Sequence, residues 1–160
     1  MGKIFLNNTG KLPFHTFNDQ VERKYLYAFC PQKRIHFNNL NNTMNGSYLF
    51  YKTAAEEISG DITTMTDGNC MFYQAKKLKS VKLKSPELLN GRYMFNYCEK
   101  LETLELDMGK MTNGYGMFRS TLLTDIVDNE KYNYSSLTNG EYMFANCNNI
   151  TKVSNAFPVL

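Results

Sequence analysis

Histidine is scarce in this 160-residue chain, which has only His15 and His36. A hydrolytic triad needs a histidine base beside a nucleophile motif, and neither histidine lies in a recognisable one. The phosphate-binding pattern G-x-x-x-x-G-K-[ST] is also missing, because each Asn-Gly pair stands by itself. We therefore expect no catalytic residues, no bound cofactor and no enzymatic activity.

Closely spaced metal ligands are lacking as well. The four cysteines, Cys30, Cys70, Cys98 and Cys147, are far apart in the chain, and none forms a C-x-x-C motif. A structural zinc site needs clustered cysteine and histidine ligands. The sequence therefore predicts no metal site and no dense disulfide framework, while a single disulfide stays open.

Long apolar runs and strong charge are absent too. No segment approaches the roughly 20 apolar residues of a membrane span, and the start, "MGKIFLNNTGKLPF", is not a secretory signal peptide. The formal net charge is only +3, without a long run of lysine or arginine. This balance argues against nucleic acid or an anionic membrane as a partner. We expect neither nucleic-acid binding nor membrane insertion.

The chain does contain a sequence repeat along its length, as in "DGNCMFYQAKKLKSVKLK", "NGRYMFNYCEKLETLELD" and "NGEYMFANCNNITKV". Each copy has Asn-Gly or Asp-Gly, an apolar residue followed by a phenylalanine, and a small residue three positions later. The phenylalanine anchors, separated by 22, 23, 23 and 26 positions, are Phe50, Phe72, Phe95, Phe118 and Phe144. Because one such unit cannot bury its own apolar face, the repeats are expected to stack and share a core.

Two periodicities alternate within each copy. Positions −4, −1, 0 and +3 around the phenylalanine form the apolar stripe of a short helix or helical turn. The Asn or Asp at −5 lies at the position expected for a helix N-cap. The recurrence of glycine at the next position is interpreted as a backbone requirement. A hairpin turn at Asn-Gly fits less well, because no alternating strand precedes it. The L-x-x-L-x-L spacing that follows places Leu104 and Leu106 on one face of a strand.

The predicted fold class is an α/β repeat solenoid, with units of about 23 residues. A weaker first copy is placed at Phe29, with Ile35 and Phe37 in its strand. Charges give a second indication of register, because three lysines and three acids stand at the same offsets (+7, +10 and +12) from successive anchors. The expected pairs, at a few tenths of a kcal/mol each, are Lys79–Glu102, Lys82–Glu105 and Lys84–Asp107.

The period, the strand spacing and the Phe-x-x-Cys of "MFNYCEKLETLEL" resemble the leucine-rich repeat family, in particular its BspA-like (Treponema-type) subclass. The resemblance covers roughly residues 25–153 and is best at 72–83 and 95–106. It implies a right-handed coil of about five to six units, with parallel strands on one face and short helices or turns on the other. It also implies a non-enzymatic surface for protein or glycan binding, and an extracellular or cell-surface location. The absence of a signal peptide also allows a virion.

Two segments lie outside the regular array. Residues 1–24 are predicted to be an N-terminal cap or attachment segment, and residues 25–160 the leucine-rich-repeat array. The chain stops at "SNAFPVL" directly after the last strand. Because solenoid ends need capping, either this end folds back, or another chain covers it through self-association or assembly, or the protein is a fragment.

Residues that the repeat fixes are needed for packing, so a binding site is expected where the repeat is free or broken. The outward strand positions form one candidate, and they are equally compatible with plain solvent; those singled out are Lys82, Thr103, Glu105, Asp125 and Val127. The insertion between Ile126 and Asn139 is the other candidate, because insertions in repeat arrays form loops. It contains Tyr132 and Tyr134, whose amphipathic rings are typical of interfaces; a tolerated surface loop is the competing interpretation.

Two functional hypotheses follow. The first is a leucine-rich-repeat binding or adhesion module for a protein or glycan partner. The second is a structural subunit of a larger assembly, such as a phage or other virion component. In both, Cys98 and Cys147 are interpreted as small apolar core residues.

Overall fold

A computed structural model describes residues 24–37, 40, 43–125 and 132–150. Within these ranges the chain forms four strands, β1 (Arg34–Phe37), β2 (Glu57–Asp61), β3 (Ser80–Lys84) and β4 (Thr103–Leu106). They make one parallel sheet in chain order. Each strand therefore lies beside the strand of the next copy, and the predicted repeat solenoid with stacked parallel strands is confirmed.

The strand register follows the repeat columns. Val81 of β3 lies opposite Leu104 of β4, and Leu83 lies opposite Leu106. Both leucines of β4 are buried, whereas the alternate positions of that strand are exposed. Because successive side chains point to opposite faces, a slip of one residue would expose both leucines. The L-x-x-L-x-L spacing thus correctly predicted the buried face of the strand.

A single file of phenylalanine rings runs through the centre of the core. The Phe72 ring lies 5.2 Å from Phe50 and 5.1 Å from Phe95 between centroids, with the ring planes within 2° and 4°. Phe118 and Phe144 continue the stack at 5.7 and 5.9 Å. The rings lie this close because neighbouring strands in a sheet are only about 4.8 Å apart. Each copy therefore packs its anchor directly on the next.

Of the short helix or turn predicted around each anchor, the turn is found, because the described residues contain no helix. The backbone makes three consecutive turns there. Around Phe72, alternate N–H groups donate to the carbonyl three residues back, at Met71, Tyr73 and Ala75. The N–H groups between them donate to carbonyls of the next copy at 2.8–2.9 Å, in the pairs Gly68–Asn90, Cys70–Arg92, Phe72–Met94 and Gln74–Asn96.

The spacing of the copies explains why turns replace helices. An α-helix with its side chains is about 10 Å across, whereas parallel strands are about 4.8 Å apart. Helices in every copy would therefore splay the sheet. A turn that gives every second N–H to the next copy follows the strand spacing and satisfies its backbone donors. The helical stripe identified the core-facing side chains correctly, since both conformations place the same positions inward.

Each turn contains two residues with left-handed backbone, two positions before and two after its anchor. In the Phe72 copy these are Cys70 (φ 55°) and Gln74 (φ 59°). The other copies repeat the pattern with Tyr25 and Phe29, Tyr48 and Lys52, Tyr93 and Tyr97, Gly116 and Ser120, and Tyr142 and Asn146. This conformation costs a non-glycine residue about 1–2 kcal/mol, so the hydrogen bonds between copies must hold it.

Substitutions at Gln74 distinguish the turn from a helix. With φ at +59°, we expect stability to fall in the order glycine, glutamine, valine, with about 2 kcal/mol between the glycine and valine variants. In a helix interior glycine would be the worst of the three. Urea unfolding of the three proteins measures the order, and a Gln74→Gly variant less stable than Gln74→Val would contradict the turn.

The Asn or Asp column does not cap helices. Its members form isolated parallel bridges from copy to copy, and each side-chain Oδ1 accepts the backbone N–H two residues on, as an Asx-turn. These distances are 2.9–3.2 Å at Asn45, Asp67, Asn90, Asn113 and Asn139. In addition, Asn90 Nδ2 donates to Asp67 Oδ1 at 2.9 Å. The predicted N-cap role is therefore replaced by a turn that also links neighbouring copies.

At Gly46 and Gly91, the glycine that follows this column makes room for side chains of the next copy and has no positive φ. The only glycine with positive φ in the described residues is Gly116, which lies outside the column. A Cβ on Gly91 would instead come within 2.9 Å of Sδ of both Met111 and Met117. At Gly46 the corresponding distance to Met65 Sδ is 2.5 Å. The next copy's side chains therefore fill the volume that a larger residue would need.

The first copy is anchored by Tyr27 and not by Phe29. Tyr27 is buried, and its ring stacks 5.2 Å from Phe50. Its N–H donates to the next copy, to Leu49 O at 2.8 Å, as the anchors from Phe50 to Phe118 do. Phe29 is 64% exposed. The predicted strand is confirmed, since Ile35 and Phe37 are the buried residues of β1.

All four cysteines are free thiols. The Cys98 thiol donates to the Phe72 carbonyl at 3.2 Å, and Cys147 donates to the Phe118 carbonyl at 2.9 Å. Burial raises the pKa of the Cys98 thiol well above its usual range, which makes it a poor nucleophile. The interpretation of Cys98 and Cys147 as small core residues is confirmed.

Candidate binding surfaces

The outward face of the sheet neutralises much of its own charge. Lys82 Nζ lies 2.7 Å from Glu105 Oε2 across β3 and β4, which confirms one of the three predicted ion pairs. Arg34 and Glu57 make a similar contact at 3.2 Å between β1 and β2. Exposed pairs of this kind contribute little to stability. Their cations are nevertheless already matched by carboxylates of the same chain.

The other two predicted ion pairs do not form. Lys79 instead contacts Glu56 of the preceding copy, with Nζ and Oε2 2.8 Å apart. The Lys79 backbone N–H also donates to the Glu56 carbonyl, which brings the two residues together, and the ammonium holds the pKa of the Glu56 carboxyl below its usual range. Asp107 lies just beyond the end of β4, and its Oδ1 accepts the Gly109 N–H at 2.9 Å rather than a lysine.

The strand positions singled out from the sequence are only partly brought together. Lys82, Thr103 and Glu105 lie side by side on the exposed face of β3 and β4. Asp125 is half-buried in a bend and not on a strand. Val127 lies outside the described residues. A partner-binding role for these positions stays a prediction.

Tyr132 and Tyr134 do not project as contact residues. Both are 1% exposed, and the Tyr132 hydroxyl donates to the Leu104 carbonyl at 2.6 Å. The Tyr134 ring packs edge-on against Phe144, with centroids 6.4 Å apart. β4 is the last strand of the described sheet, so it forms the edge of that sheet. Tyr132 packs on this edge and satisfies the Leu104 backbone acceptor there. The interpretation of these two tyrosines as surface contacts is therefore wrong.

A continuous band of aromatic rings runs along the outside of the turns. We call it the tyrosine ribbon; its residues are Tyr25, Phe29, Tyr48, Tyr51, Tyr73, Tyr93, Tyr97, Tyr115 and Tyr142. Consecutive rings are 5.0–6.5 Å apart between centroids along the path Tyr25, Tyr48, Tyr51, Tyr73, Tyr93, Tyr115 and Tyr142. All nine side chains are half-buried or exposed. The ribbon crosses all six copies.

Three cations lie over the ribbon rings. The Arg92 guanidinium lies between two rings, 5.2 Å from the Tyr93 centroid and 5.4 Å from that of Tyr115. Lys52 lies 5.1 Å from the Tyr51 ring, and Arg119 lies 5.8 Å from Tyr97. Within the described part of the chain none of these three cations is paired with a carboxylate. The ribbon therefore combines aromatic surface with positive charge that no carboxylate of the described residues neutralises.

Hydrogen bonds disfavour ionisation of two ribbon hydroxyls. The bond to the Cys70 thiol raises the pKa of Tyr48 to about 12. The bond between the two hydroxyls likewise raises the pKa of Tyr115 beside Tyr93. A protonated phenol can donate as well as accept hydrogen bonds.

Two buried polar atoms have no hydrogen-bond partner among the described residues. They are Asn96 Oδ1 and Arg119 Nε, on side chains that follow two successive anchors. An unsatisfied buried group costs about 1–3 kcal/mol.

The sequence contains a signal for the ribbon that the repeat analysis did not use. Nine of the eleven tyrosines fall in the turns, and the eight that belong to the ribbon lie mostly within two residues of an anchor, as in "SYLFY" and "RYMFNY". A helical period assigns these positions to no common surface. The left-handed residues at −2 and +2 turn them outward together, and this depends on a conformation that the pattern does not predict.

Other kinds of site receive no support from the described residues. No group of three or more His, Cys, Asp or Glu side chains there is placed to hold a metal ion. The same part of the chain has no helix with the length and apolar character needed to span a bilayer.

Comparison with known proteins identifies the repeat. The sequence model of the BspA-type leucine-rich repeat region matches six copies over residues 19–151. No curated protein and no solved structure matches the chain. Leucine-rich repeat arrays are typically non-enzymatic, protein-binding modules, and the matched range includes all four strands and the whole tyrosine ribbon. The chain belongs to the BspA-type leucine-rich repeat family.

Proposed function

We propose that this protein is a non-enzymatic adhesion module that binds its partner through the tyrosine ribbon. The observation that carries the proposal is the unbroken path of outward rings across six copies, with Arg92 between two of them. Tyrosine and arginine are the residues most enriched among those that dominate binding energy at interfaces.

The ribbon fits this role better than the outward face of the strands. The cations Arg34, Lys79 and Lys82 on or beside the strands already contact carboxylates of the same chain. A partner there would compete with those pairs for each charge. The ribbon cations lie over aromatic rings and have no carboxylate partner among the described residues, so they keep their capacity to bind an acidic group from outside.

Mutual packing also prepares the ribbon for binding. Each ring on the path contacts its neighbours, for example Tyr73 against Tyr51, Tyr93 and Tyr97. Rings held in this way lose little side-chain entropy when a partner arrives, which is one of the main costs of association. The surface is therefore rigid, amphipathic and long, as an adhesion surface should be.

The proposal can be tested with beads that carry the full chain on plates coated with mucin, fibronectin or serum albumin. The ribbon variant is Tyr93→Ser with Tyr142→Ser, and the matched control is Lys82→Ala with Glu105→Ala on the strands. We expect retention on mucin or fibronectin above the albumin background, a loss of about tenfold or more in the ribbon variant, and no loss in the control. Circular dichroism and thermal unfolding verify that each variant is folded.

If the double ribbon variant does not fold, Tyr142→Ser replaces it, because Tyr142 is 56% exposed. Retention that disappears only in the strand variant would favour the strand face and overturn the proposal. Retention no greater than on albumin for every coated surface would overturn it as well.

A further inference from the structure

We infer that the ligand of the tyrosine ribbon is a linear polysaccharide that carries carboxylate groups. The inference rests on the proposed function, since it names the class of molecule that the ribbon would bind. Three features of the ribbon carry it. The backbone groups of the turns between neighbouring copies are already hydrogen-bonded. The aromatic surface is narrow and repeats with each copy, and its cations have no carboxylate partner among the described residues.

In the copies that have a described neighbour on both sides, the backbone of the turns offers no hydrogen bonds to an incoming peptide. Around Phe72, the N–H groups from Gly68 to Ala75 that face the ribbon donate either within the turn or to the next copy. The intervening carbonyls, such as those of Met71 and Tyr73, accept from the preceding copy. Peptides that add to a surface as an extended strand depend on free backbone groups. Recognition at the ribbon must therefore come from rings, hydroxyls and cations.

Those remaining groups suit a sugar chain. Pyranose rings have apolar C–H faces that pack on aromatic rings, and their hydroxyls both donate to and accept from tyrosine hydroxyls. The copies repeat at the strand separation of about 4.8 Å, which is comparable to the length of one sugar unit in an extended chain. The ribbon is thus a straight, narrow surface whose period fits successive sugar units.

The cations specify an acidic sugar. Lys52, Arg92 and Arg119 come from three different copies, so positive charge recurs along the ribbon. Arg92 is exposed and held between two rings, which orients the planar guanidinium that pairs bidentately with carboxylates. The negative charge of Glu141 acts on the Tyr115 hydroxyl, so the acidic ligand is expected to extend from Arg92 toward Lys52 rather than toward the Tyr142 end.

The test measures binding of the full chain to polygalacturonate, alginate and hyaluronan by biolayer interferometry. The comparison ligands are carboxyl-reduced forms of the same polymers and poly-L-glutamate. We expect at least one acidic polysaccharide to bind about tenfold or more tightly than both its reduced form and polyglutamate. Binding should weaken as salt rises, because the cations are exposed.

Matched variants locate the charge that matters. Arg92→Ala should weaken binding about tenfold, and Arg92→Lys should recover only part of the loss, because lysine lacks the planar fork. Lys84→Ala removes the same charge from an exposed position on β3 and should leave binding unchanged. Equal losses in the Arg92→Ala and Lys84→Ala variants would show a general charge effect and overturn the assignment.

Failure of this inference is separable from failure of the proposed function. Polyglutamate that binds as well as the acidic polysaccharides, or reduced polymers that bind equally, would overturn the acidic-glycan assignment. So would a lack of binding to all three polysaccharides. In each case, ribbon-dependent retention on fibronectin or mucin would keep the adhesion proposal, whereas its absence would remove both.

Discussion

Replacing Phe95 with alanine should lower the free energy of unfolding by about 3–5 kcal/mol, which is the range for removing a buried aromatic ring. The Phe95 side chain has no exposed surface and stacks on Phe72 at 5.1 Å and on Phe118 at 5.7 Å. Its removal takes contacts from two copies at once. Because stability in a solenoid comes largely from neighbouring copies, we expect the whole array to unfold at lower urea concentration, as measured by circular dichroism.

Phe29→Ala is the matched control for that experiment. It makes the same chemical change in the same array, at a side chain that is 64% exposed. We expect its effect to stay within about 1 kcal/mol, since it loses only surface contacts such as the one with Tyr51. Equal effects of the two substitutions would contradict the central role of the stacked rings.

Replacing Tyr132 with alanine should also lower the free energy of unfolding, by about 3–5 kcal/mol. The ring is buried, and the change would also leave the Leu104 carbonyl without the hydroxyl that now donates to it at 2.6 Å. The interpretation of Tyr132 as a surface contact predicts the opposite, a change within about 0.5 kcal/mol. Urea unfolding of the variant therefore decides directly between a packed insertion and a projecting one.

Two further substitutions separate the contribution of the Tyr132 hydroxyl from that of its buried ring. Tyr132→Phe keeps the ring and removes the hydroxyl, so we expect a loss of about 1–3 kcal/mol from the buried carbonyl. Tyr142→Ala tests a tyrosine that is 56% exposed, and it should cost less than either Tyr132 variant. A Tyr132→Ala protein as stable as the unmodified chain would show that the insertion does not pack over β4.

The columns of the repeat could be identified from the sequence because the burial of their side chains does not depend on the local backbone conformation. Phe72 and Phe95 are buried whether the segment around them is a helix or a turn. The alternation of Leu104 and Leu106 with polar residues gives the face and register of β4 in any stacked strand. The Lys82–Glu105 pair follows from that register.

Conformation itself was harder to predict. A stripe at −4, −1, 0 and +3 is shared by a helix and by three consecutive turns, and only the separation between copies selects the turns. The left-handed residues, such as Gln74 at φ 59°, have no sequence signature because they are seldom glycine. Anchoring of the first copy by Tyr27 followed from the hydrogen bonds between copies, since Phe29 matches the expected side chain equally well.

The sequence by itself determined the repeat, its period, the core columns and the family, because internal repetition records which positions meet their counterparts in the next copy. Only the tertiary structure decided which tyrosines are buried and which are exposed. Tyr132 is buried because it packs over the last described strand, and Tyr142 is exposed because its left-handed backbone turns it away from the core. Both outcomes depend on contacts between residues distant in the chain, which a local pattern does not contain.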